Sequence, residues 1–294
     1  MILMKGRNSA VVVINKDARQ GNHAEALLRS PIRGAIQVVR SYVVAGNLIA
    51  TTLREELQKG TRTFIVGGGD GTINVAVNVL AYSGVSLGIL PLGTTNNFAR
   101  SLGLPLNPEE AIKVISRQNL KKIHLGRVND RYFTSVAILG VSAQAVNKVS
   151  PGVKAVAGRA AYAVAGLKQV AMQKPFNCVI SSEDKRYSLK TNEVLIANGS
   201  HHAALEIAPE ASIMKKHLFV KALGTSQSRM EWASALLRLP TNGSSSRAEE
   251  FELSLQKFTL TARPRQAIAA DGEIVAQTPA EFSVAIGALI VFVG

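Results

Sequence analysis

At 294 residues the chain is long enough to bury a sizeable core and is expected to divide into two domains. Its 34 Lys plus Arg against 20 Asp plus Glu leave a formal charge of +14, which favours an anionic partner: a nucleotide, an acidic membrane surface or nucleic acid. Nucleic acid calls for basic residues interleaved with surface aromatics or a known module, which a chain with 5% aromatics does not offer, and the single Cys178 excludes an intrachain disulfide and a thiolate metal cluster.

The run 10–14 is continuously apolar, as in a parallel-sheet strand covered on both faces, and it ends at Asn15-Lys16-Asp17. A helical stretch over 24–29 and a strand over 36–44 follow. The helix expected over 47–58 puts Ile49, Leu53, Glu56 and Leu57 on one side, with Gly60 as its stop. Thr63 to Val66 then form a second apolar run, which empties into Gly67-Gly68-Gly69-Asp70-Gly71-Thr72. Beyond it Ile73, Ala76, Val77 and Leu80 recur at helical spacing. The stretch reads as strand, glycine-rich loop, helix.

Such a loop frees backbone N–H groups at a helix N-terminus and lets a polyphosphate approach closely, although the glycines alone equally fit a tight βα turn. Asp70 is the odd residue. A carboxylate beside phosphates is repelled unless it holds a metal ion, accepts a proton from a nucleophile, or is absorbed as a helix cap. A P-loop would need Lys after its last Gly, a dinucleotide fingerprint would need Gly where Thr72 stands, and a protein-kinase signature set is absent.

Residues 87–90 make the next strand. Alternating strands and helices imply right-handed crossovers, so the loop Pro91-Leu92-Gly93-Thr94-Thr95-Asn96-Asn97 leaves on the same sheet edge as the glycine-rich loop, where ligands bind. Thr94, Thr95 and Asn96 offer hydroxyl and amide groups to a phosphate or adenine, or cap the following helix. Another helix covers 108–116. Past His124 the pattern changes to strands and turns, over 131–139, 177–182, 187–197, 217–223 and 251–256, which reads as an antiparallel sandwich.

Two helices, over 158–173 and 230–239, interrupt these strands; each suits core packing or an anionic membrane surface with Trp232 at the interface. His201 and His202, adjacent on a strand, point to opposite faces and have no third ligand at a recognisable spacing, so they are read as non-metal. Cys178 suits a buried inert thiol. The longest apolar run, 285–293, is broken by Gly287 and too short to span a bilayer, and no leader pattern is evident. A cytoplasmic protein, touching the inner membrane face, is expected. Near the end, Asp271-Gly272-Glu273 forms a strand, turn, strand corner. In an extended chain its two acids would share a face, one as base and one organising metal or charge, although Asp-Gly is equally a plain hairpin signal.

Gly68-Gly69-Asp70-Gly71-Thr72, then Pro91 through Arg100, then Asp271-Gly272-Glu273, in this order and at these separations, resemble the bacterial diacylglycerol kinase and sphingosine kinase family of lipid kinases, distant relatives of NAD kinases. The resemblance implies a Rossmann-like, NAD kinase-like α/β domain with a parallel sheet over 1–125, with 285–294 a candidate to complete it. It further implies an antiparallel β-sandwich domain for the lipid over 126–284. ATP and Mg²⁺ would be the cofactors and a lipid such as diacylglycerol, at an anionic membrane surface, the substrate. Asn15, Gly68, Gly69, Gly71, Thr72, Thr94, Thr95 and Asn96 would lie at the nucleotide. By the same resemblance Glu273 leads as the base for the lipid hydroxyl, with Asp70 in the Mg²⁺ and phosphate region and the reverse assignment open; Asp271 is the third catalytic acid. Asn198-Gly199 and Ala208-Pro209 would belong to two loops near the lipid-facing cleft.

The departures from that family pattern concern acids and the first loop. Val75, Asn97, His124 and Lys215-Lys216 stand where the family usually has acidic residues, and Lys16 and Ala18 stand in a first loop that usually carries Pro and Gly. Each lost carboxylate weakens Mg²⁺ affinity, and two lysines would repel a cation, so no structural metal is expected at Lys215 and Lys216. Two readings are left: a lipid kinase, or a nucleotide- or lipid-binding protein of the same fold with weak or no transfer. An NAD-kinase-like enzyme fits less of the chain, which has the Asn-Asn loop and the second-domain pattern of the lipid kinases.

Overall fold

The computed structural model describes residues 9–19, 36–140, 143, 175–202, 204–223 and 250–294; the helices expected over 24–29, 158–173 and 230–239 lie outside them. Four strands, β1 (Ser9–Asn15), β2 (Gln37–Val44), β3 (Thr63–Gly68) and β4 (Ser86–Pro91), pair in parallel in the order β2-β1-β3-β4. Helices α1 (Ile49–Gln58), α2 (Asp70–Leu80), α3 (Asn97–Ser101) and α4 (Pro108–Ser116) follow strands or loops of this sheet. The strands are continuously apolar because both faces are covered. On one face Val11, Val13, Phe64 and Val66 meet Ile49 and Leu53 of α1 and Ile73 and Val77 of α2; on the other, Val12, Ile14, Ile65 and Leu90 meet Ala111 and Ile115 of α4.

After α4 come β5 (Leu120–Val128), whose Ile123 and Leu125 join the core of the parallel domain, and then β6 (Arg131–Phe133), β7 (Val136–Gly140), β8 (Phe176–Ser181), β9 (Arg186–Thr191), β10 (Glu193–Ala197), the short β11 (His201–His202) and β12 (Leu205–Glu206), β13 (Leu218–Leu223), β14 (Glu250–Leu255), β15 (Lys257–Arg263), β16 (Ala267–Ala270), β17 (Glu273–Gln277) and the long β18 (Ala280–Phe292). One sheet runs β14-β13-β10-β7-β16-β17. The other is continuous with the parallel sheet, in the order β4-β18-β15-β8-β9, because β18 serves both domains. Its first residues pair antiparallel with β15, from Ala280 opposite Leu260 to Ser283 opposite Lys257, and its last pair parallel with β4, Ile290 opposite Ser86 and Val291 opposite Leu87. Between the two sandwich sheets lie Phe133, Leu139, Phe176, Ile180, Val194, Val220, Phe258 and Phe282, the last two rings stacked at 5.2 Å. The molecule thus has the expected parallel α/β domain and antiparallel sandwich. Cys178 sits in this core, and burial pushes its thiol up to about 12, which keeps it inert.

Two expected strands are each two strands. The stretch 187–197 divides into β9 and β10, which belong to opposite sheets; the chain changes sheet at Asn192, passing so close to Gly140 (φ +107) that a Cβ there would lie 2.2 Å from the Asn192 carbonyl. The stretch 131–139 breaks into β6 and β7 at Thr134-Ser135, whose backbone N–H groups turn instead to Asp271. At the first break the inward-facing set keeps its phase, Phe133, Ala137 and Leu139, so a local pattern does not reveal it; at the second the set shifts by one position, from Tyr187 and Leu189 to Val194 and Ile196.

Glu56, on the inner side of α1, is 1% exposed and fully compensated. Its carboxylate accepts from Arg40 Nε (2.8 Å), Tyr42 Oη (2.8 Å), Lys59 Nζ (2.8 Å) and Thr61 Oγ1 (3.2 Å). Burial alone would raise its pKa, but the bonds from Lys59, Arg40 and Tyr42 win and hold it at about 2, below the usual 4.5. A lowered folded-state pKa contributes stability that is present above pH 4.5 and lost as pH falls toward 2. Glu56→Gln is therefore expected to lose about 2 kcal/mol in urea unfolding at pH 7. It should also flatten the decline in stability that the wild type shows between these two pH values.

Candidate active site

The glycine-rich loop closes β3 and opens α2. Gly68 ends the strand, Gly69 is the residue before the helix, and the first helical bond runs from Ile73 N–H to the Gly69 carbonyl. The N–H groups of Gly69, Asp70, Gly71 and Thr72 therefore have no partner within the helix and stand at its positive end. The loop after β4 packs directly against this one: a Cβ on Gly93 would lie 2.5 Å from Gly69 Cα, so the two backbones meet where no side chain fits.

Side chains bind the three loops into one edge. Asn15, at the end of β1, donates from Nδ2 to Thr72 Oγ1 (2.8 Å). Asp70 Oδ2 accepts from Thr95 Oγ1 (2.5 Å) and from Asn97 Nδ2 (3.3 Å), and its Oδ1 accepts from Phe98 N–H (3.5 Å). The cap of α3 thus comes from across the loop, from Asp70, and not from Asn96. Asn96 adopts a left-handed backbone (φ +48) and spends both ends of its amide on Gly93, accepting from its N–H (3.0 Å) and donating to its carbonyl (2.9 Å). Thr94 is exposed, and its hydroxyl makes no hydrogen bond among the described residues. Burial, with a smaller push from the Asp271 charge, raises the Asp70 carboxyl above the usual carboxylate range, against the opposing pull of its Thr95 and backbone bonds.

Asp271 lies in the turn between β16 and β17, at φ +47. Its carboxylate accepts from Thr134 N–H (2.7 Å), Thr134 Oγ1 (2.8 Å), Ser135 N–H (2.9 Å) and Val136 N–H (3.3 Å), and from Asn74 Nδ2 of α2 (2.8 Å). It is a clamp between domains. Because the chain reverses at Asp271-Gly272, Asp271 and Glu273 do not share a face as an extended chain would have them do. Glu273 is exposed at the start of β17 and makes no hydrogen bond or ion pair among the described residues.

Three of the departures have specific jobs. Asn97 donates to Asp70 while its Oδ1 accepts from Ala204 N–H (2.9 Å) on the β11–β12 hairpin; a carboxylate at 97 could not donate. His124 accepts the Gly287 N–H at Nδ1 (2.8 Å), and burial together with Lys216 lowers its pKa, so the ring is neutral. Lys215 Nζ donates to the Glu210 carbonyl (2.7 Å). Sequence reasoning missed Asn78, which exchanges bonds with Tyr132 N–H (2.9 Å) and carbonyl (3.0 Å), and also Thr134, Ser135 and Ser101. The signal was present for Asn78, four residues after Asn74 and so on the same face of an otherwise apolar helix. Among the described residues no three His, Cys, Asp or Glu side chains form a metal cluster, and no helix is long and apolar enough to cross a membrane.

A parallel α/β domain with glycine-rich βα loops, joined through one strand to an antiparallel sandwich, is also what comparison with known proteins returns. Residues 9–128 match the diacylglycerol kinase catalytic domain and residues 135–293 the YegS C-terminal NAD kinase beta sandwich-like domain. The chain belongs to the YegS-like lipid kinase family. It is 31% identical over 211 residues to a probable lipid kinase YegS-like protein of Enterobacter sp. (strain 638), covering 70% of each chain. It is 35% identical over 170 residues to one from Serratia proteamaculans (strain 568), a match that spans 56% of that relative's length. A crystal structure of a diacylglycerol kinase from Bacillus anthracis str. Sterne shares the fold, with a TM-score of 0.77 at 18% identity over 98% of this chain and 97% of that one. A further structure from that organism gives 0.81 at 21% identity, over 98% and 95%.

Asp271→Asn should show what the clamp holds. An amide turns its own N–H groups toward some of the five donors, so the variant is expected to lose about 3 kcal/mol of stability in urea unfolding. A loss under about 0.5 kcal/mol would mean that the donors find other partners.

Proposed function

We propose that the chain is an ATP-dependent lipid kinase, transferring the γ-phosphoryl group of MgATP to a hydroxyl of a lipid such as diacylglycerol at the inner face of the membrane. One observation carries this reading. The loops after β1, β3 and β4 are locked together by the Asn15–Thr72 and Asp70–Thr95 bonds, at the edge of a parallel sheet where the first turn of α2 presents free N–H groups. That donor set suits a polyphosphate.

The N–H groups of Gly69 and Gly71, with the hydroxyls of Thr72, Thr94 and Thr95, would hold the phosphates. Gly68 serves by letting the strand end beside them, Asn15 by orienting Thr72, and Asn96 by fixing the loop through Gly93. Asp70, at the start of α2, would face Mg²⁺, which when bound neutralises phosphate charge. Asp271 positions the second domain. The formal charge of +14 favours an anionic lipid surface. With little covalent work for the protein to do, positioning and charge neutralisation would supply most of the acceleration.

The second reading, a binding protein without efficient transfer, draws its support from Val75, Asn97, His124 and Lys215, none of which supplies a carboxylate. The two readings separate on turnover. Incubated with γ-labelled MgATP and a panel of lipids in mixed micelles, the wild type is expected to label one lipid class, and Asp70→Asn to lose about 100-fold. ATP binding without any labelled lipid would support the second reading, and labelling of NAD instead of a lipid would support an NAD-kinase-like enzyme.

A further inference from the structure

A nucleotide arrives from water, so on the kinase reading proposed above the glycine-rich edge must stay open while the chain sits on a bilayer; the choice of a bilayer as occupant rests on that reading. One surface well away from that edge has the make-up of a contact site. It lies where α2 ends, about 16 Å of helix from Asp70.

The end of α2, the register shift of β18, the first half of β5 and the segment before β13 meet there. Tyr82 N–H donates to the Ala288 carbonyl (2.7 Å) and Tyr82 Oη to the Ile286 carbonyl (3.4 Å). Gly287 donates its N–H to His124 Nδ1 (2.8 Å), and a Cβ on it would lie 3.0 Å from Lys122 Cε, so the lysine stem lies along the bulge. His124 N–H donates to the Ile213 carbonyl (2.9 Å), and Lys216 stands close enough to act on the His124 ring. The four segments thus form one continuous surface.

Its composition is both apolar and cationic. Tyr82 (58% exposed), Ile286 (48%), Leu120 (43%) and Met214 (39%) are four of the seven large apolar side chains exposed among the described residues, and all belong to these segments. The segments 79–88, 117–124, 211–217 and 282–294 also carry Arg117, Lys121, Lys122, Lys215 and Lys216, all exposed, and no Asp or Glu. A single exposed apolar residue needs no explanation, but a group of them among charges of one sign marks a contact site. A second copy fits it poorly, because two-fold pairing would set the lysines of one copy against those of the other. An anionic bilayer fits both features: lysine stems lie on apolar surface while their ammonium groups reach lipid phosphates, and a Tyr ring suits the headgroup level.

We propose that this surface is a membrane-docking face, with Tyr82 and Ile286 entering the headgroup boundary of an anionic bilayer and Lys122 and Lys216 set against its phosphates. Seated so, the chain keeps the glycine-rich edge at the far end of α2 in water. Docking is then set by residues that touch none of the reacting groups, and its electrostatic part weakens as salt rises.

Sedimentation of the full chain with lipid vesicles, without ATP, tests this. The wild type is expected to bind vesicles containing phosphatidylglycerol and not vesicles of phosphatidylcholine alone, and Lys122→Glu with Lys216→Glu to weaken that binding by at least about 10-fold. Lys185→Glu with Lys190→Glu, exposed at and before β9, makes the same change in net charge on another surface and is expected to bind nearly as the wild type. Should the first pair unfold, as judged by circular dichroism, Lys122→Gln with Ile286→Ser takes its place, and weaker binding is again expected. A wild type that ignores anionic vesicles, equal loss in both charge-reversed pairs, or undiminished binding in a folded variant of the patch overturns the docking face. So does a wild-type dimer, seen by light scattering, that the patch variants turn into monomers, or duplex DNA bound through the patch in preference to the vesicles. The two readings fail separately: a chain that docks through these lysines but labels no lipid loses the kinase reading, and one that labels lipid in mixed micelles but does not dock through them loses the docking face.

Discussion

The carboxylate of Asp271 occupies the point where β6, β7, the β16–β17 turn and α2 come together, and the strand break at Thr134-Ser135 exists because an acid is there to satisfy it. Three consecutive backbone N–H groups leave the sheet ladder at that break and would be orphaned in its absence. An enclosed carboxylate is itself costly unless dipoles replace its lost water, and five donors do so. Each side thus resolves the other's penalty. Because one of the five is Asn74, one turn along α2 from Asp70, the same interaction fixes where the N-terminal end of that helix stands relative to the second domain.

What the chain announced locally, the structure bears out. The apolar runs ending at Asn15, Gly68 and Pro91 read as parallel strands because burial on both faces removes any alternation, and glycine runs after strands read as tight loops because few other residues fit there. What was hidden depends on partners far away in sequence. Asn74 finds Asp271 across 197 positions, and nothing near either residue encodes the meeting. The change of sheet at 134–135 was invisible for a related reason: Phe133, Ala137 and Leu139 keep one alternation across it, and only the hydrogen-bond partners change; at 192 the alternation itself shifts by one, from Leu189 to Val194. His201 and His202 are both half-buried on β11, a degree of cover that strand alternation alone does not foretell.

The positions where acids are missing are not vacancies. Asn97 works because an amide both donates and accepts, joining Asp70 to Ala204 in a way a carboxylate could not. His124 meets Gly287 within the register shift of β18, between the part of that strand that pairs with β15 and the part that pairs with β4. Val75 packs against the core of the parallel α/β domain. Each substitution removes negative charge and adds a neutral or cationic contact, so the seam needs less cation to hold it together. That coherence favours a site adapted around two remaining seam carboxylates over one that has merely lost its ligands.

The same connections limit how a substrate can enter. Swinging one domain away from the other would strain β18, which is hydrogen-bonded into both, and would strip the Asp271 donors. The β11–β12 hairpin is different: its strands are two residues each and pair only with one another. Such a hairpin has little stability of its own. Its Ala204–Asn97 bond is worth about 1 kcal/mol net, so lifting the hairpin costs far less than parting the domains. The β11–β12 hairpin is therefore the most cheaply displaced of the elements that join the two domains.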